Sequence, residues 1–495
     1  MNPKHFKPEN LCIRRCAGLV AAAGLLFLAP LQAQQEIELE TCELVVPGTP
    51  LSAVAQCGWL ERAENPAEPA GRKIKIHVAR VPARGRVTEP DPLVFFAGGP
   101  GQAASEAWPL VAAALSKVNE NRDILLVDQR GTGKSNALKC PEMELEEILN
   151  MEWDQLGDST RECLESLDAD VRYYTTTIAM HDIDAARAAL GYEKVNLFGG
   201  SYGTRAAQVY LRLFPERVRT LVLDGVVPQT LALGTEHAEK LDQAIYRVLN
   251  GCEQDPRCRE EFPDSAGKLA GLIRRLDENP REVTVDHPTT GRPYTLTFNR
   301  EVLASALRFL TYSSDSQAML PLLIHEAFTD RYFERLASQM MITATGLQQS
   351  ISQGMELSVI CSEDAPLFPA GNGDADYLMG DIMLKATRIQ CDVWPRGPLP
   401  EGFHEPVTAD VPTLLLSGEL DPVTPPEYAE RVAAHFPDST HLVAPGQGHI
   451  VTTRGCMGDL VSDFIAAAGA AELATECISR LAASPYFLSL TGPRP

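Results

Sequence analysis

The chain lacks Cys-x-x-Cys pairs and any cysteine–histidine cluster with metal-ligand spacing, so no metal site is expected. It also lacks clustered lysines and arginines, and the net charge over 495 residues is −22. That balance argues against a nucleic-acid partner, which requires concentrated positive charge. No internal repeat is visible. The leading apolar run, "AGLVAAAGLLFLA" (17–29), is too short for a membrane-spanning helix. Lys4, Lys7, Arg14 and Arg15 precede it, and "LQA" (31–33) follows before polar "QQEIELE". The pattern predicts a secretory signal over residues 1–33, cleaved near Ala33. The mature chain is then periplasmic or extracellular, with no stable membrane association.

What is present fits export. Ten cysteines remain beyond the signal, and an even count in an exported chain suggests disulfides. They fall into sequence-local couples: 42–57, 140–163, 252–258, 361–391 and 456–477. Hydrophobic content of 44% and charged content of 22% describe an ordinary globular protein.

Apolar runs alternate with helical patterns, the signature of an α/β fold with a mostly parallel sheet. Strands are predicted in "PLVFFAGGPG" (92–101), "DILLVDQRGTGKS" (123–135), "KVNLFGGS" (194–201), "VRTLVLDGVVP" (218–228), "VPTLLLSGELDP" (411–422) and "THLVAPGQGH" (440–449). Helices are predicted in "HDIDAARAALGY" (181–192) and in the stretch after Ser201. From 231 to 400 the rhythm is lost. That stretch is mostly helical, with one hairpin in "REVTVDHPTTGRPYTLTF" (281–298), and reads as a lid inserted between core segments 34–230 and 401–495.

Gly199-Gly200-Ser201-Tyr202-Gly203 matches G-x-S-x-G between a strand and a helix. In that setting a tight turn holds a nucleophilic serine in a strained backbone position, and glycines relieve the crowding. A serine hydroxyl needs a base and a group to orient it. Asp421 lies after one late strand and His449 after the last, so both emerge at one sheet edge. Glu419 competes with Asp421 but precedes the strand-end turn. Thr424 stands near the acid. The loop "AGGPGQ" (97–102) follows an early strand, where the N–H of Gly99 would join that of Tyr202 as oxyanion donors. "RGTGKS" (130–135) imitates a phosphate loop, but Asp128 stands where that loop needs its first glycine. Asp128 and Arg130 are expected to form a hydrogen-bonded pair.

These segments, with "SGELDPVTP" and "GQGH", resemble the proline iminopeptidase and tripeptidyl aminopeptidase family of α/β-hydrolases, over roughly 75–230 and 400–480. The likeness is closest to the exported tripeptidyl-aminopeptidase-like branch. It implies Ser201, Asp421 and His449 as triad, with Gly99 and Tyr202 as oxyanion donors. It also implies release of residues from the free N-terminus of peptides, without metal or cofactor. Ala97 stands where many members carry His before Gly-Gly-Pro-Gly; a backbone role survives that change. "ELSVICSED" (356–364) is similar to a family stretch near the active site. An aminopeptidase needs a carboxylate for the protonated amine, and Glu363 and Asp364 are the candidates, with Glu356 behind them. A carboxylesterase or lipase is the alternative, and a non-catalytic binding protein a remoter one.

Overall fold

Four short apolar runs set the centre of the molecule: β4 (Leu93–Phe96), β5 (Ile124–Val127), β6 (Val195–Gly200) and β10 (Thr413–Gly418). Their residues are buried almost throughout, as strands covered on both faces must be. A computed structural model describes residues 36–141, 143, 147, 151–288, 290–371 and 376–492. The expected signal segment lies outside the described residues.

Three strands precede this centre, namely β1 (Glu40–Val45), β2 (Ser52–Ala63) and β3 (Lys73–Val81). With β7 (Val218–Asp224) and β11 (Ser439–Ala444) they complete a nine-stranded sheet of order β1-β2-β3-β5-β4-β6-β7-β10-β11. Pairing is antiparallel from β1 to β5 and parallel from there to β11. Successive residues of a strand face opposite sides. Val94 and Phe96 accordingly join the apolar layer under helices Thr176–Ala189 and Tyr202–Leu213, while Leu93 and Phe95 join the layer holding Trp108 and Phe464.

Between β7 and β10 the chain forms helices and one hairpin, β8 (Arg281–Asp286) with β9 (Pro293–Phe298). The largest of these helices pack on a separate apolar cluster that includes Leu249, Leu272, Phe298 and Leu307. The long pattern after Asn299 breaks into Arg300–Leu310, Ser314–Gln317 and Leu320–Thr329. Ser313 caps the second piece by accepting from the Ser316 N–H.

All five predicted cysteine couples are disulfides, which suggests an oxidising environment. Among the described residues no helix is long and apolar enough to cross a membrane. The expected Asp128–Arg130 pair is not formed. Asp128 meets His77 Nδ1 at 3.0 Å and Ser105 Oγ at 2.9 Å, whereas Arg130 Nε donates to Asp182 at 2.7 Å. Each is buried and finds a nearer partner of its own, so neither is available to the other.

Candidate active site

Ser201 sits between β6 and its helix with φ 56° and ψ −127°, a conformation non-glycine residues rarely hold. Its glycines explain how the turn fits. A Cβ on Gly199 would stand 2.4 Å from the Gly203 carbonyl, and one on Gly203 would stand 2.2 Å from the Phe96 carbonyl. Gly200 has no such neighbour, so the steric demand falls on the outer two. The loop after β4 runs beside the serine: a Cβ on Gly98 would lie 3.2 Å from Ser201 Cβ. Gly99 follows with φ 106°. Tyr202 opens the helix, where backbone amides have no partner within the helix. Its phenol is buried against Thr176 Oγ1 at 2.6 Å.

Asp421 and His449 meet. His449 Nδ1 donates to Asp421 Oδ2 at 2.8 Å, and Thr424 Oγ1 donates to the same oxygen at 2.8 Å. The amides of Val423 and Thr424 donate to the other oxygen at 2.8 and 2.9 Å. Burial alone would raise the Asp421 pKa, but His449 and these donors hold it below its ordinary value. Burial would lower the His449 pKa; the Asp421 charge and hydrogen bond reverse that and raise it. Glu419 is occupied elsewhere, accepting from the Gly446 N–H at 2.8 Å.

The three carboxylates of the segment 356–364 separate. Glu363 is fully buried and accepts from Thr176 N at 2.7 Å and Thr176 Oγ1 at 2.8 Å. Asp364, also fully buried, pairs with Arg205 at 2.7 Å and accepts from Leu233 N at 2.9 Å. Both therefore have internal partners, although Asp364 Oδ2 is buried without one among the described residues. Glu356 instead lines a cavity of about 730 Å³ with Trp153, Leu156, Gln353, Leu357 and Ile360. Among the described residues its carboxylate has no hydrogen-bond partner, and burial pushes its pKa up to about 7. Burial likewise lifts Glu363 to about 7. The segment leading to Glu356 docks on the β4 loop, where Ser352 N donates to the Gly101 carbonyl at 3.0 Å.

Sequence reasoning missed three supports. Asp224, at the end of β7, accepts from the amides of Val451 (3.0 Å) and Thr452 (2.8 Å) and from Thr452 Oγ1 (2.6 Å). It thereby fixes the turn that follows His449. The Tyr312 carbonyl accepts the His449 N–H at 2.8 Å, and the two rings meet edge to face at 5.5 Å. Arg308 then approaches the Tyr312 hydroxyl at 3.3 Å. "VLDG" at a strand end was a usable signal for Asp224; nothing local distinguished Tyr312 or Arg308.

Residues 91–452 match the family described as alpha/beta hydrolase fold. Serine protease Hip1 of Mycobacterium tuberculosis is 24% identical over 500 residues, covering 92% of each chain. A tripeptidyl aminopeptidase of Streptomyces lividans is 30% identical over 224 residues, 42% of this chain and 41% of that one. A proline iminopeptidase of Neisseria gonorrhoeae is 30% identical over 135 residues, 27% of this chain and 32% of that one.

Proposed function

Since the chain belongs to the α/β-hydrolase fold family and its relatives include serine peptidases, we propose that it is an exported serine exopeptidase acting at the free N-terminus of peptides. Ser201 is the nucleophile, His449 its base and Asp421 the orienting acid. His449 takes the Ser201 proton as Oγ attacks the scissile carbonyl, and the N–H groups of Gly99 and Tyr202 hold the oxyanion. His449 then protonates the leaving amine. Water repeats the sequence on the acyl-enzyme and releases the N-terminal fragment.

The observation that supports the exopeptidase reading is Glu356, a carboxylate with no hydrogen-bond partner among the described residues. It stands on a cavity wall whose segment is tethered to the β4 loop that runs beside Ser201. The cavity lining itself does not include the triad. A protonated amine fits Glu356. A charge-assisted hydrogen bond there stabilises by roughly 1.5–3 kcal/mol. Residues of the segment 140–163 and of the insertion between β7 and β10 line this cavity together, and in this reading its depth sets how many residues precede the cut. A panel of mono-, di- and tripeptide amides with free and acetylated N-termini tests the reading. Free-amine peptides should turn over at least tenfold faster; equal rates on acetylated ones overturn it. The same triad serves esters, so ester turnover without amide cleavage would make the protein a carboxylesterase instead.

A further inference from the structure

Helix Arg300–Leu310 carries Arg308, whose guanidinium reaches Tyr312, the residue whose ring packs on His449. The Arg308 guanidinium contacts Met383 Sδ at 2.9 Å, Tyr312 Oη at 3.3 Å and His237 Nδ1 at 3.5 Å. All three contacts are neutral. The first is a thioether and the second a phenol. The third is an imidazole whose pKa burial and Arg308 push down to about 3. Among the described residues no carboxylate lies within 4.0 Å of Arg308.

Among the described residues half-buried Arg212 also lacks a carboxylate within 4.0 Å, but it donates to the Gly402 and Phe403 carbonyls at 2.8 and 2.9 Å. Among the same residues the one oxygen Arg308 meets is the Tyr312 hydroxyl. Arg122, Arg130, Arg187 and Arg205 are all buried, and each meets an aspartate at 3.0, 2.7, 2.6 and 2.7 Å. Acids outnumber bases 66 to 44, so partners were not scarce. A half-buried cation loses solvation that a carboxylate would return. Tyr312 links Arg308 to His449 by ring contact and backbone, and the Arg308 charge acts on both His449 and Glu356.

We propose that Arg308 binds a carboxylate of the substrate, making the enzyme selective for peptides with an anionic group close to the cleaved bond. This rests on Ser201 and His449 being the reacting pair. The planar guanidinium suits a carboxylate better than an ammonium would. Two sources share that chemistry: the C-terminal carboxylate of a short peptide, and an Asp or Glu side chain beside the scissile bond.

The test compares matched free-amine peptides. One arm sets a C-terminal carboxylate against its carboxamide; the other sets Glu against Gln on either side of the cut, with the C-terminus amidated. The readout is the ratio of kcat/KM within each pair. In the wild type one arm should show a preference of about tenfold to a hundredfold for the acid, and that arm identifies the source. Arg308→Lys should keep part of the ratio, Arg308→Gln should bring it near one, and Arg308→Glu should invert it. A wild-type ratio near one in both arms, or a ratio that survives Arg308→Gln and Arg308→Glu, overturns the proposal. If those variants do not fold, inhibition of the wild type by the acid and amide forms of each cleavage product decides. Equal inhibition by the two overturns the proposal, and at least tenfold stronger inhibition by the acid supports it. The same pairs are also presented as esters. Turnover of esters alone would remove the peptidase reading, while their acid-to-amide ratio still reports on Arg308.

Discussion

The Ser201 amide donates to the carbonyl of Asp224 at 2.9 Å, so the residue that restrains the serine turn is the one whose side chain holds the segment after His449. Asp224 therefore couples two strand ends that sequence places more than two hundred residues apart. Its carboxyl pKa is raised by burial, and its charge in turn raises that of His449. Asp224→Asn should lower kcat by about tenfold to a hundredfold, the effect of small misplacement of a reacting group. The acid limb of the kcat/KM profile should also move to lower pH. A loss of stability with an unmoved limb would reduce Asp224 to a packing role.

Ser201→Ala should remove turnover by at least about a thousandfold while the far-UV circular dichroism stays unchanged. Gly203→Ala should behave differently. Its added Cβ meets the Phe96 backbone at 2.2 Å, so that variant should lose thermal stability as well as activity. Retained activity in Ser201→Ala would remove the nucleophile assignment.

Recognition of the amine should depend on pH through Glu356. With its pKa near 7, the carboxylate is charged above that value and neutral below it. KM for free-amine peptides should then rise as pH falls through about 7, and rise again above about 8 as the α-amino group loses its proton. Glu356→Gln should raise KM by about tenfold or more and abolish the acid-side rise. Glu363→Gln should leave that KM profile in place, because Glu363 is held by Thr176 and does not line the cavity.

Glu363 should appear instead in stability. Its folded pKa of about 7 lies above the ordinary 4.5, so the folded chain holds a proton that the unfolded chain releases. The stabilisation tied to that proton is complete below about 4.5 and is lost as pH rises to about 7. The loss is on the order of 3 kcal/mol. Wild-type Tm should fall over that window, and Glu363→Gln should flatten the fall. A Tm that rises across the window in the wild type would contradict the burial argument.

Much of this was legible in the sequence because it rests on short-range rules. β4, β5, β6 and β10 announce themselves as apolar runs, and the strand–Ser201–helix order follows from the glycines. Asp421 and His449 stand at consecutive parallel strand ends, and they meet as that topology requires. The cysteine couples close short loops and pair accordingly. The carboxylates of the segment 356–364 were harder to read. "ELSVICSED" places Glu356, Glu363 and Asp364 on one continuous helical stretch. Which of them faces the cavity depends on Thr176 and Arg205, residues far upstream that consume two of the three. Arg308 and Tyr312 were invisible for the same reason. Their place beside His449 comes from a helix break at Ser313 and from packing across the insertion, not from any local pattern.

The bond from Ser352 to Gly101 gives the proposed site a ruler whose zero mark is fixed. The wall that ends in Glu356 starts on the same loop that carries Gly99. If Glu356 holds the amine as proposed, the distance from amine to scissile carbonyl is set by main chain, and side-chain exchange within the cavity should change which residues are preferred without changing how many are removed. Altering that count would require lengthening or shortening the segment between Ser352 and Glu356 itself.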